Sequence, residues 1–330
     1  MKILFITANR VGDAVLTTGL LAHLERLYPD AAFTIACGPY GADVFRAVPR
    51  LQRLIVMRKK KFNGHWVDLW RQCVGTKWDL VVDLRNSIVS RLLLTKKLAT
   101  HCRGSGKHKV VDNGAVLGLN PPPDPFIWIA PEAEAEAEKI LPADVPILAL
   151  GPAANWPLKQ WPIESFISLA EKLTASNGAL PNAAVMILAD EHERDQVAPL
   201  LRAIPEQRRI DIIGRDLQIA AACLKRARLY VGNDSGLMHL AAALGVPTLG
   251  LFGPGFPHVY GPWGEKCAYV CTPESREELL ASSQGKDSLM RSLSVESAVA
   301  AAEELLVPRE RNTEHNKFTE PSCVSSQEVL

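Results

Sequence analysis

The sequence predicts an α/β protein of two successive domains, each a parallel sheet covered by helices. Three observations carry this. Short apolar runs alternate with segments of helical period along the chain. A proline-rich stretch, Asn120-Pro-Pro-Pro-Asp-Pro125, interrupts the alternation once, and such a run joins neither a central strand nor a helix interior. A chain of 330 residues is also too long for one ordinary core.

In the first half, residues 2–7 read as a buried strand. Residues 12–27 read as a helix, with Val15, Leu16, Leu20, Leu24 and Leu27 at helical spacing. Strands follow at 33–37 and 80–84, and a helix at 87–98. In the second half, 147–150 opens a new sheet and 163–173 is helical. Further strands are expected at 184–188, 209–213, 229–232 and 247–252. The segment 294–306 is an amphipathic helix. The domains are set at 1–140 and 141–307, with 308–330 polar, irregular and expected to be disordered. No repeat of fixed solenoid period is present.

Composition narrows the function. The chain is 47% hydrophobic and 22% charged, ordinary for a globular protein. Its net charge of +1 hides an asymmetry: residues 1–110 hold 19 Lys+Arg against 7 Asp+Glu, and the remainder 18 against 29. A basic N-terminal half fits an anionic partner, or simply a solvated basic face. Nucleic acid is disfavoured, because no nucleic-acid motif appears and the basic patch lacks interleaved aromatics. The seven cysteines are odd in number and form no CxxC pair, which fits reduced thiols. Cys267 and Cys271 alone do not make a metal site. With no visible targeting segment or spanning run, the protein is expected in the cytoplasm.

Four segments carry candidate chemistry. In Leu229-Tyr-Val-Gly-Asn-Asp-Ser-Gly-Leu-Met-His-Leu240 an apolar strand runs into a small-residue turn and a helix. A helix start near Asp234 or Ser235 offers unpaired N–H groups and a positive dipole end to a phosphate, and Gly236 permits close approach. Capping by Asp234 or Ser235 accounts for the same residues. In Arg10-Val-Gly-Asp-Ala-Val-Leu-Thr-Thr18, Asp13 follows the first strand, where ligands of open α/β sheets bind. It is a helix cap or a general base. The lone Gly12 is not a dinucleotide fingerprint. Gly151-Pro-Ala-Ala-Asn-Trp-Pro-Leu-Lys-Gln-Trp-Pro162 is a stiff loop from which Lys159 projects. That lysine is a surface residue between packing tryptophans, or it stabilises a leaving diphosphate without a metal. Phe252-Gly-Pro-Gly-Phe-Pro257 is a turn-rich loop at a strand end.

Taken in order, Gly12-Asp13 with Thr17-Thr18, Lys159-Gln-Trp-Pro162, Asp234-Ser-Gly-Leu-Met-His239, Phe252-Gly-Pro254 and the last helix resemble glycosyltransferase family 9, the bacterial lipopolysaccharide heptosyltransferases. The resemblance runs from Met1 to about Val307. It implies a GT-B fold, two facing Rossmann-like domains with the active site in the interdomain cleft. The N-terminal domain would take the acceptor and the C-terminal domain the donor.

The resemblance also implies roles. Asp13 is the general base, and transfer is one inverting displacement without a metal or other cofactor. Asn155 and Lys159 contact the donor phosphates, with Lys159 stabilising the leaving group. Ser235 and Gly236 offer backbone N–H groups, Asp234 holds sugar hydroxyls, and His239 and Gly253 line the same pocket. Glu193, or its neighbour Glu191, meets the ribose. Arg10, Gly12, Arg58, Lys59, Lys60, Lys61 and Arg85 serve the acceptor, and Arg91, Lys96 and Lys97 add to the basic face. The implied donor is a nucleotide-sugar, ADP-heptose. The implied acceptor is an anionic glycolipid of the Kdo-lipid A type, reached by peripheral contact with the anionic inner face of the inner membrane. The chain departs from the family at Gly19, where many members carry Pro, and at Ala154 and Asn155, where many carry hydroxyl residues. A nucleotide-sugar epimerase and a non-catalytic nucleotide-sugar-binding partner are the competing readings.

Overall fold

The computed structural model describes residues 1–101, 104–283 and 287–307. It divides into two compact units, Met1–Ala130 and a second that begins at Pro131. The expected tail at 308–330 lies outside the described residues.

The first unit is built on five parallel strands: β1 Lys2–Ile6, β2 Ala32–Cys37, β3 Leu51–Val56, β4 Trp78–Asp83 and β5 Thr95–Thr100, in the order β3-β2-β1-β4-β5. Its helices are α1 Val11–Val15, α2 Thr18–Leu27, α3 Gly64–Cys73, α4 Ile88–Arg91 and α5 Lys109–Ala115. Strands β1 and β4 are nearly continuous apolar runs, as strands covered on both faces should be. Leu4, Ile6, Val81, Leu69 and Trp78 share one buried cluster.

The second unit carries β6 Ile147–Gly151, β7 Ala184–Ile187, β8 Arg209–Asp211, β9 Leu229–Asn233, β10 Thr248–Phe252 and β11 Cys267–Cys271, all parallel, in the order β11-β10-β9-β6-β7-β8. Around them lie α6 Pro131–Ile140, α7 Ile163–Thr174, α8 Arg194–Ala203, α9 Leu217–Leu224, α10 Gly236–Ala243, α11 Pro257–Tyr260, α12 Arg276–Ala281 and α13 Val295–Leu306. Leu148, Leu150, Val231, Leu251, Phe166 and Ala298 form one core that joins sheet, α7 and α13.

Several local expectations change. The unit boundary falls before α6, ahead of residue 140, because α6 packs on α9. Ion pairs from Glu134 to Lys225 at 2.8 Å and from Glu138 to Arg226 at 3.0 Å fasten it there. The helix expected over 12–27 is two helices. Thr17 and Thr18 turn their hydroxyls onto the carbonyls of Ala14 and Val15, both at 2.7 Å, and break the run. The helix expected over 87–98 shrinks to α4, and its second half is the edge strand β5. Pairing with β4 overrides the local periodicity, and the exposed Lys96 and Lys97 suit a sheet edge. Strands β3 and β11, also at sheet edges, were not among the expected strands. Cys267 and Cys271 sit four residues apart on β11, about 13 Å along a strand, too far to share a metal ion.

In both sheets the chain runs outward from a central strand and then returns to its other side. The switch points are the β1/β4 pair and the β6/β9 pair. In open parallel sheets, ligands bind beyond the carboxyl ends of such pairs.

Candidate active site

At the carboxyl end of β6 and β9, Gly151 and Gly232 lie opposite each other. The chain leaves β6 into the loop 152–162 and leaves β9 into the start of α10. Asn233 ties the two exits together. Its fully buried side-chain amide donates to the Pro152 carbonyl at 2.7 Å and accepts from the Trp161 backbone N–H at 3.0 Å. A buried amide is costly unless bonded, and here both ends are bonded.

The rest of the loop is held as firmly. The Trp161 indole donates to the Leu293 carbonyl at 2.9 Å and meets Phe166 edge-on at 5.1 Å. Gln160 donates to the Ala154 carbonyl at 2.6 Å and accepts from the Ser288 hydroxyl. The Leu289 N–H donates to the Leu158 carbonyl at 3.2 Å. This framework aims Lys159, whose ammonium pairs with the Asp234 carboxylate and stands 5.9 Å from the Trp156 ring centre. The pair is sheltered, Lys159 being 23% exposed and Asp234 10%. Lys159 and Asp234 were expected on different parts of the donor; the structure pairs them.

Ser235 occupies the N-cap position of α10, yet its hydroxyl makes no capping bond to the first turn. Simple capping therefore does not account for this segment. Gly255 comes close to Asp234: a Cβ there would stand 2.8 Å from the carboxylate oxygen. The loop carrying Gly255 is fixed by Arg276, which donates to the Pro254 carbonyl at 3.1 Å and covers the Phe256 ring at 4.4 Å.

Other expected donor residues are placed differently. Asn155 is exposed on its loop, and His239 is buried in α10. A Cβ on Gly253 would stand 2.7 Å from Met290, so packing alone explains that glycine. Glu193 closes a capping box with Asp190, accepting from its N–H at 2.9 Å. Glu191 accepts from Arg194 at 2.7 and 3.0 Å. Both carboxylates thus already have local partners.

In the first unit, Arg10 takes the N-cap position of α1 and Asp13 lies inside the helix's first turn, so Asp13 is not the cap residue. Across the β1/β4 switch point, Arg85 donates to the Asn9 side chain at 2.9 Å and lies over the Trp66 ring at 4.8 Å. Burial lowers the Arg85 pKa, and the Asp83 carboxylate opposes that shift. Asp83, fully buried at the end of β4, shapes the turn. It accepts from the backbone N–H groups of Arg85 at 2.9 Å and Ser87 at 2.7 Å, and from the Ser87 hydroxyl at 2.6 Å. Gly12 is partly buried beside Asp13.

Arg58, Lys59, Lys60 and Lys61 lead out of β3 as an exposed tip, followed by a fully exposed Phe62. Lys60 pairs with Asp68 at 2.5 Å. Lys96 and Lys97 do not join this edge. They line a cavity of about 530 Å³ with Met1 and Asp79, at the amino ends of the strands.

Sequence reasoning missed Asn233, Asp83 and Asn9 as positioning residues. A polar residue closing an apolar strand run is the signal for the first two.

No helix among the described residues is long and apolar enough to cross a membrane. The family model for glycosyltransferase family 9 (heptosyltransferase) matches residues 115–286. The chain is 23% identical over 310 residues to lipooligosaccharide heptosyltransferase 2 of Haemophilus influenzae, covering 82% of this chain and 88% of that one. Among solved structures, it matches a glycosyl transferase family 9 protein of Veillonella parvula with a TM-score of 0.75 and 23% identity, over 92% of this chain and 97% of that one. It matches the ADP-heptose lipopolysaccharide heptosyltransferase II of E. coli with a TM-score of 0.72 and 20% identity, over 93% and 98%. Two parallel-sheet α/β domains with these neighbours make the GT-B fold. The family match spans just over half of the sequence, and the chain therefore belongs to glycosyltransferase family 9 and is a glycosyltransferase.

Proposed function

We propose that the protein transfers a heptose from ADP-heptose to an anionic glycolipid of the lipopolysaccharide inner core, with inversion and without a metal. One observation carries this reading: an uncapped helix start at the β6/β9 switch point, with the Lys159–Asp234 pair beside it. The N–H groups there and the Lys159 ammonium suit the diphosphate of a nucleotide-sugar. The relatives named above, which act in lipopolysaccharide or lipooligosaccharide assembly, support the choice of sugar and acceptor.

Each residue then has a task. The acceptor hydroxyl oxygen attacks the anomeric carbon while the bond from that carbon to the diphosphate oxygen breaks. Asp13 takes the hydroxyl proton, and the nucleoside diphosphate leaves with its charge balanced by Lys159 and the α10 N–H groups. Donor binding draws Lys159 toward the phosphates and leaves Asp234 to accept from sugar hydroxyls. Asn155 reaches the phosphates, His239 and Gly253 bound the pocket, and a free oxygen of Glu193 meets the ribose. Arg10, Gly12 and Arg85 bind the acceptor's sugar end. Arg58, Lys59, Lys60 and Lys61 meet its phosphates and carboxylates at the surface of an anionic membrane, on the cytoplasmic side.

The test is a transfer assay with ADP-heptose and Kdo-lipid A in EDTA. Product with the inverted anomeric configuration is expected. No product under any metal condition, alongside tight ADP binding, would favour a binding partner. A donor epimer formed without acceptor would favour an epimerase.

A further inference from the structure

Tyr230 is a wholly buried residue of the central strand β9, two residues before Gly232. Its hydroxyl stands over the two facing glycines of the switch point: a Cβ on Gly151 would come within 2.0 Å of that oxygen, and one on Gly232 within 2.3 Å. The two glycines are therefore needed to admit the phenol. Burial raises the Tyr230 pKa, and the hydroxyl of Ser235 faces it and opposes that shift. Neither the Tyr230 hydroxyl nor the Ser235 hydroxyl has a hydrogen-bond partner of regular geometry among the described residues, and both oxygens are shut off from solvent.

This arrangement is unusual for an N-cap serine. Such a side chain ordinarily accepts from the N–H of the second or third helix residue. Here the Ser235 hydroxyl is turned inward, toward Tyr230, and the α10 start is left uncapped. A capping hydroxyl and a phosphate compete for the same N–H groups.

We propose that Tyr230 is a positioning residue for the donor, holding the Ser235 hydroxyl away from the helix start so that the first-turn N–H groups stay open to a diphosphate. This rests on the reading of the α10 start as the donor diphosphate site. The device gives up a helix cap for an anion site formed before the ligand arrives.

Tyr230→Phe removes one oxygen and leaves the ring. Freed from its neighbour, Ser235 turns to cap α10. The apo protein should then melt at a higher temperature, while its dissociation constant for ADP rises about fivefold, the ratio an N-cap bond typically supplies. The loss falls on the donor KM rather than on kcat. In the Ser235→Ala background there is no hydroxyl to swing into the cap, and Tyr230→Phe no longer weakens ADP.

A merely structural role gives a different pattern: Tyr230→Phe lowers the melting temperature, and its effect on ADP persists in the Ser235→Ala background. Either result overturns the proposal, as does a Tyr230→Phe chain that fails to fold. The same titrations with inorganic pyrophosphate separate the two levels of the argument. If the wild-type chain binds neither ADP, UDP nor pyrophosphate, the donor-site reading fails and the inference fails with it. If wild type binds and Tyr230→Phe binds equally well, only the inference fails.

Discussion

The two switch points hold their side chains in different ways. At the β6/β9 end, the loop 152–162 is fixed by the buried Asn233 amide, the Trp161 indole and the clamp from Ser288 and Leu289. Its ion pair, Lys159 with Asp234, is largely sheltered from solvent. At the β1/β4 end, Asp13 stands on a helix of five residues, and the basic residues after β3 lie on an exposed tip. The Asp83 turn, the Arg85–Asn9 contact, the Arg85–Trp66 contact and the Thr7–Thr17 hydroxyl pair stiffen that edge. If the proposed donor and acceptor bind there, a small, invariant diphosphate rewards a site built in advance, and a large anionic glycolipid is better met by long charged side chains on the exposed tip.

The largest expected effect tests the softer edge. Asp13→Asn keeps the side-chain shape and removes the proposed base. It should lower kcat about 10²–10⁴-fold with an unchanged melting temperature. Undiminished transfer by the variant would make Asp13 a structural residue and move the base elsewhere.

Next comes the stiff edge. Asn233→Ala strips the partners from the Pro152 carbonyl and the Trp161 N–H, both buried. A loss of about 2–3 kcal/mol of stability is expected by urea titration, together with a weaker response to ADP. A change below about 0.5 kcal/mol would show that the loop is held without Asn233.

A third variant, Arg58→Gln with Lys59→Gln and Lys61→Gln, addresses the exposed tip and leaves the Lys60–Asp68 pair intact. The acceptor KM should rise about tenfold at low salt, and the gap should narrow as salt screens the wild-type charges. A salt-independent gap would point to lost packing instead.

The same contrast governs what could be read from the sequence. Asp13, Lys159 and Asp234 were visible because their residue types follow apolar strand runs, and a strand end is where an open sheet binds. The alternation of strands and helices gave the two α/β domains for the same reason. The role of Asn233 depends on β6 lying beside β9, and pairing across a sheet leaves no mark at fixed spacing, whereas Asp83 acts locally on residues 85 and 87. The edge strand β5 was misread as helix because its apolar residues fit a helical period until β4 pairs with them. The Glu193 case is a missed local signal. Asp190 and Glu193 have the spacing of a capping box, and that pattern was legible without any structure.

The smallest expected effect is a pH dependence on the first unit. His65 is buried in α3 beside Trp66, at a ring separation of 5.3 Å. Its burial, and then the positive charges of Arg85 and Lys59, hold its pKa below the ordinary value, with Asp68 opposing weakly. The sign follows from proton counting. The unfolded chain takes up a proton at His65 near pH 6.5, and the folded chain only at lower pH. Between those two values the unfolded state binds more protons, so stability falls as pH drops through 6.5 and is fully present above it. Urea midpoints at pH 7.5 and 5.5 should differ more for wild type than for His65→Gln, which cannot titrate. Equal differences would mean that the imidazole is protonated as readily in the fold as in the open chain.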